Sequence, residues 1–199
     1  MTDVRRATKA DLAQVATSLA RAFHDDPVML HILPELASGK QAKLEGLMRI
    51  ETTSALRHES VWTTSDGQAA AVWKPPGKWK VGGAELLRQA PRTVAILRSR
   101  LPVALSVLNA IEKQHPVDPP HWHLAVLGTD PAVQGQGKGS AVLRPVLEHC
   151  DRAGEPAYLE SSKEQNVPFY ERHGFRVTER LDLRDGPSLW LMWRDPQPA

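Results

Sequence analysis

Apolar and polar positions change period several times along the chain, and each period marks an element. VRRAT, residues 4–8, reads as a short strand. Leu12, Val15, Ala16, Leu19 and Phe23 then recur at helical spacing, opened by Thr8 and Asp11, which resemble a capping box with Asp in place of Glu. HDDP ends this helix at residues 24–27, and Asp26 with Pro27 suits the start of a second, short one. A further helix is expected over 40–58. VWTTSDGQAAAVWK, residues 61–74, predicts two strands around an Asp66-Gly67 turn. Residues 82–114 read as helical, with breaks at Pro91 and Pro102.

In the remainder, HWHLAVLGT (121–129) has the pattern of a strand, and a glycine-rich turn leads from it into a helix that runs to about Arg152. PAYLES is a strand, NVPFYERHG a short helix ended by Gly174, and 175–183 with 188–194 a final strand pair. The order is mixed α/β, without internal repeat or long linker, and predicts one domain over 1–199.

Composition adds exclusions. A formal net charge of +2 is too small to point to nucleic acid. No run approaches the ~20 apolar residues of a membrane span, and MTDVRRATKADL has no apolar signal core. No membrane partner is therefore expected. The single cysteine, Cys150, has no internal partner, which suits a reducing, cytoplasmic setting; its place on the apolar side of a helix suits an inert thiol. No metal site is expected.

The stretch DPAVQGQGKGS places Gly135, Gly137 and Gly139 in five positions between strand and helix. Such a turn presents free backbone N–H groups and a positive helix end to a phosphate. A Walker A loop fails, because Lys138 is followed by Gly139 and position 132 is alanine. A dinucleotide fingerprint fails too: counted from Gly135 its last position is Ser140, and from Gly137 it is Val142.

Gln134-x-x-Gly137-x-Gly139 after a strand ending LGTDP resembles instead the pyrophosphate-binding motif of the GNAT superfamily of N-acetyltransferases. NVPFYERHGF, 166–175, resembles that superfamily's later motif of Asn, Tyr and a Gly-Phe pair. Within the superfamily the likeness extends to the enzymes that acetylate puromycin. It is carried by VRRATKADL, ARAFHDDP, VQGQGKGSAVLRPVLE, AGEPAYLESSKEQNVPFYERHGF and DGP, and is thin between about 34 and 115. The resemblance implies a GNAT fold, a single twisted mixed β-sheet flanked by helices. It also implies direct transfer of an acetyl group from acetyl-CoA to a primary amine of a small, antibiotic-like acceptor of the puromycin type, by a monomer or homodimer. A protein N-terminal or lysine acetyltransferase, and a non-catalytic acyl-CoA-binding sensor, stay open beside it.

The same resemblance implies the site. Gln134, Gly135, Gln136, Gly137, Lys138, Gly139 and Ser140 would hold the pyrophosphate. Backbone amides of Leu127, Gly128 and Thr129 would serve the thioester oxygen, with Gly128 permitting a strand bulge. Asn166 and Tyr170 share a helix face. Tyr170 matches the family tyrosine near the coenzyme sulfur, although an aromatic could equally pack helix on sheet, and Asn166 could simply cap its helix. His123 stands where relatives place a glutamate or histidine base, and Glu160 on the next strand is its rival. The acceptor pocket falls in the thin region: Trp73, Trp79 and the apolar residues of 84–110 would suit its walls or an ordinary core. Seven Lys or Arg between Lys74 and Arg100 against Glu85 argue against polyamine acceptors.

Overall fold

The computed structural model describes residues 2–38 and 41–197. Seven strands form one mixed sheet in the order β1-β2-β3-β4-β5-β7-β6. They are β1 (Val4–Arg6), β2 (Val61–Thr64), β3 (Ala69–Lys74), β4 (Trp122–Thr129), β5 (Ala157–Ser161), β6 (Arg176–Asp182) and β7 (Ser188–Arg194). The helices are α1 (Leu12–Ala22), α2 (Pro27–Ile32), α3 (Ala42–Leu56), α4 (Gly83–Leu97), α5 (Leu101–Gln114), α6 (Lys138–Ala153) and α7 (Val167–Glu171).

Local chemistry accounts for most boundaries. The Asp11 carboxylate accepts from the Thr8 backbone N–H at 2.8 Å, closing the expected box before α1. Asp26 Oδ1 accepts from the N–H groups of Val28 and Met29 at 3.0 and 2.9 Å, satisfying two orphan donors of α2. The hairpin turns at Asp66-Gly67, with Gly67 at φ +66°. Helix α3 is described from Ala42; Lys40, where the sequence pattern starts it, lies outside the described residues.

Two expectations need correction between 82 and 114. Pro91 does not break α4, which runs through it to Leu97. The break falls at Arg98, at φ +48°, and Pro102 sits in the first turn of α5, where a missing N–H costs nothing. Taken together, Gly83–Gln114 is also long and apolar enough for a membrane span by length and composition, contrary to the sequence reading. Leu86, Leu87, Val94, Leu105 and Leu108 are exposed on it.

Both faces of the sheet are covered. Val15, Leu19, Leu44 and Met48 pack against Ala70, Val72, Val126 and Tyr158 on one face; Val142, Leu143, Val146 and Cys150 of α6 pack against Ala71, Trp73 and Leu159 on the other. Alternation along β3 therefore sends apolar groups both ways. Strands β4 and β5 pair in parallel only from Trp122↔Ala157 to Leu124↔Leu159. Beyond Leu124 the pair parts, and the gap is the mouth of a cleft.

Candidate active site

The cleft between the parted strands encloses about 520 Å³. One wall is the free edge of β4, where Leu127, Gly128 and Thr129 lie as expected. The irregularity in the β3–β4 ladder falls opposite Val72/Trp73, at Ala125, and not at Gly128. Gly128 has a different reason: a Cβ there would stand 2.8 Å from Leu19 Cδ2 and 2.9 Å from Ala22 Cβ, so α1 needs a bare backbone to approach.

The glycine loop forms the second wall. Gly135 and Gly137 have φ of +78° and +76°, and a Cβ on either would meet no protein atom within 4 Å. Glycine is therefore demanded by backbone conformation there and leaves open space before the loop. The first bond of α6 runs from Ala141 N–H to the Gly137 carbonyl at 3.0 Å, which leaves the N–H groups of Lys138, Gly139 and Ser140 ahead of it. This donor cluster at the positive end of a 16-residue helix fits a pyrophosphate. Gln134 folds back, its Nε2 donating to the Thr129 carbonyl at 3.2 Å. Lys138 Nζ is tied to Asp66 at 2.5 Å and Gln68 at 2.6 Å, so the hairpin turn braces the loop. Ser140 Oγ lies 2.9 Å from His173 Nε2. Of the loop residues singled out from sequence, Gln136 alone is absent from the cleft wall; it is exposed.

Asn166 and Tyr170 reach the cleft from α7. The Asn166 side chain makes no capping bond, since a 3-10 turn at Glu164–Asn166 feeds α7 directly and removes the need for a cap. Tyr170 is buried, and burial together with the nearby Asp26 charge pushes its phenol up. A phenol held in its neutral form is a hydrogen-bond donor.

The two residues that sequence set as rival bases are bonded to each other. His123 Nε2 and Glu160 Oε2 are 2.8 Å apart, and Glu160 is the member on the cleft wall. His115 Nδ1 stands 3.5 Å from Glu160 Oε1. Burial pushes the Glu160 carboxyl up, but the charge and hydrogen bond of His123, with those of His115, outweigh it and hold the group well below the usual carboxylate range. His121 Nδ1 donates to the Pro119 carbonyl at 2.8 Å, and its Nε2 meets His115 Nε2 at 3.1 Å. Burial lowers both His115 and His121. His115, Glu160 and His123 bring one ligand atom each within 4.8 Å of one another, a set able to hold a metal. At 2.8 Å, His123 Nε2 and Glu160 Oε2 are within hydrogen-bond distance of each other.

His115 had no signal in the sequence. It follows α5, eight positions before His123, and joins the cluster only through tertiary packing; Trp79 stacks on it with ring centroids 3.9 Å apart. Trp73 is core, and neither tryptophan lines the cleft. No residue of 84–110 lines it either; Leu97 and Val107 are core, while Leu86, Leu87, Val94 and Leu105 are exposed. Phe23, Asp25 and Asp26 of the α1–α2 turn, with Ser162 and Lys163 after β5, form the remaining wall.

Residues 105–193, which hold β4, the loop and all that follows, match the family model described as the acetyltransferase (GNAT) domain. An uncharacterized N-acetyltransferase of Schizosaccharomyces pombe is 26% identical over 207 aligned residues, 97% of this chain and 83% of the relative. A Corynebacterium glutamicum structure described as histone acetyltransferase HPA2 and related acetyltransferase is 25% identical, with a TM-score of 0.72 over 100% of this chain and 99% of that one. The Drosophila melanogaster polyamine N-acetyltransferase that forms N-acetylagmatine shares the fold, at 17% identity and a TM-score of 0.69 over 98% and 100% of the two chains. The fold is that of the GNAT acetyltransferases. Residues 105–193 match that domain, and the chain is an acetyltransferase.

Proposed function

We propose that the protein moves the acetyl group of acetyl-CoA directly to a primary amine of a small molecule, with puromycin-type amines as acceptors. The observation that carries this reading is the position of Glu160 on the wall of the cleft that the glycine loop also lines. Bound acetyl-CoA supplies a thioester from which the amine takes the acetyl group while coenzyme A leaves as a thiolate. The N–H groups of Lys138, Gly139 and Ser140 hold the pyrophosphate. Glu160, held ionised by His123 and His115, hydrogen-bonds and orients the amine, and the amine proton leaves through the Glu160–His123 pair. Tyr170 donates a hydrogen bond from its neutral phenol toward the leaving sulfur. Free amides on the β4 edge from Leu127 to Thr129 serve the thioester oxygen.

Phe23, Leu124, Leu159 and Phe169 give the cleft apolar wall suited to an aromatic or aliphatic acceptor body. A second reading, a cationic acceptor such as agmatine, would draw on Asp25 on the same wall by displacing its pairing with Lys163 at 2.6 Å, since Asp26 is committed to capping α2. The basic run from Lys74 to Arg100, which in the sequence argues against polyamine acceptors, contributes no residue to the cleft.

Competitive turnover of puromycin, an arylalkylamine, agmatine, kanamycin and an N-terminal peptide at equal concentration tests the proposal. Preference for puromycin or the arylalkylamine is expected. Preference for agmatine selects the second reading, and preference for the peptide or kanamycin contradicts both.

A further inference from the structure

Helices α3 and α4 cross with a gap between them, away from the acetyl-CoA cleft. They meet closely at one end, where a Cβ on Gly46 would stand 2.8 Å from Ile96 Cδ1. At the other end they are joined by an ion pair, Arg57 Nη1 to Glu85 Oε2 at 3.2 Å. The gap is a groove of about 560 Å³ with Ile50 and Ile96 among its apolar lining. Arg49 and Arg57 rise from the α3 side, Arg88 and Arg92 from the α4 side, and the lining contains no acidic side chain.

These guanidinium groups are under-neutralised. Glu85 is shared, at 3.2 Å from Arg57 and 3.6 Å from Arg88, and its Oε1 also accepts from Gln89 Nε2 at 2.7 Å. Among the described residues Arg49 pairs only with Glu45 of its own helix, at 3.5 Å. Arg92 makes no ion pair among the described residues. Arg57, Arg88 and Arg92 are exposed, so water screens their repulsion. Together they still set a positive potential over the apolar floor, and a guanidinium fork suits a planar or tetrahedral oxyanion.

We infer that this groove is a second binding site, for a soluble small anion that joins a carboxylate or phosphate head to an apolar body. The head meets Arg92 and Arg49, and the body lies on Ile50 and Ile96. Neither part alone satisfies the groove, since an inorganic ion leaves the apolar floor bare and a neutral apolar molecule leaves the arginines unpaired.

Calorimetric titration of the full chain with octanoate, octyl phosphate and inorganic phosphate, each with coenzyme A saturating the main cleft, tests the inference. Saturable binding of at least one octyl compound is expected, at least tenfold tighter than inorganic phosphate. Which of the two binds tighter tells whether the head is a carboxylate or a phosphate. Arg92→Glu and Arg49→Gln should each weaken that binding at least tenfold while coenzyme A affinity, which reports an intact fold, stays unchanged. Absence of saturable binding, equal affinity for inorganic phosphate, or octyl binding undiminished in both variants would overturn it.

Discussion

His123 Nε2 lies 2.8 Å from Glu160 Oε2 across the parallel strand pair. His123 faces Tyr158 in the register, so Glu160, two residues further along β5, is its diagonal neighbour on the same sheet face. The two side chains thus form one hydrogen-bonded unit. Glu160→Gln and His123→Ala should each lower kcat by about 10²-fold or more, the usual scale for losing a general base. Because each acts through the other, the double variant should lose far less than the product of the single losses. Steady-state kinetics of the four proteins measures this; multiplicative losses would separate the two residues.

Tyr170 reaches the same cleft from α7 with its phenol kept neutral by burial. Tyr170→Phe should lower kcat and leave acetyl-CoA affinity within about twofold, a difference under about 0.5 kcal/mol. A fall in affinity without a fall in kcat would make the residue a packing group.

Two glycines on the cleft should fail in different ways. Gly137→Val puts a branched side chain into open space before the loop, at φ +76°. Acetyl-CoA affinity should fall at least tenfold, about 1.4 kcal/mol, beside a stability cost of about 1–3 kcal/mol for a β-branched residue at that φ. Gly128→Ala instead forces a Cβ to 2.8 Å from Leu19 Cδ2 and 2.9 Å from Ala22 Cβ. It should cost about 1–3 kcal/mol of stability, as overpacking does. Calorimetric binding and urea unfolding of both variants read the contrast.

Burial lowers the pKa values of His115 and His121 in the folded chain. Their unfolded values lie near 6.5, so as pH falls through about 6.5 the unfolded state takes up protons first. Stability from these groups is therefore present above about pH 6.5 and is lost below it, down to their folded pKa values. The urea midpoint should fall from pH 7 toward pH 5, and His121→Gln should flatten that slope. An unchanged slope would place the proton uptake elsewhere.

The order of elements was legible in the sequence because its signals are local. Thr8 with Asp11, Asp26 with Pro27, and the Asp66-Gly67 turn each act within a few residues, and the structure shows all three. Arg98 carries no breaker signature, so the pattern could not move the helix break away from Pro91. The glycine loop was legible because positive φ demands a residue type. Pairing of His123 with Glu160 was not, since it depends on the β4–β5 register between residues 37 positions apart. His115 and the arginine groove were hidden for the same reason, as tertiary contacts without a motif.

Amine acetylation at the Glu160 wall of the cleft is measured most directly by release of the coenzyme A thiol from acetyl-CoA. Release should depend on an added primary amine in the unaltered protein. In Glu160→Gln it should fall by about 10²-fold or more while calorimetry finds acetyl-CoA affinity retained. Acetyl-CoA binding without amine-dependent release across the acceptor panel, or full release by Glu160→Gln, would contradict acetyl transfer at this wall.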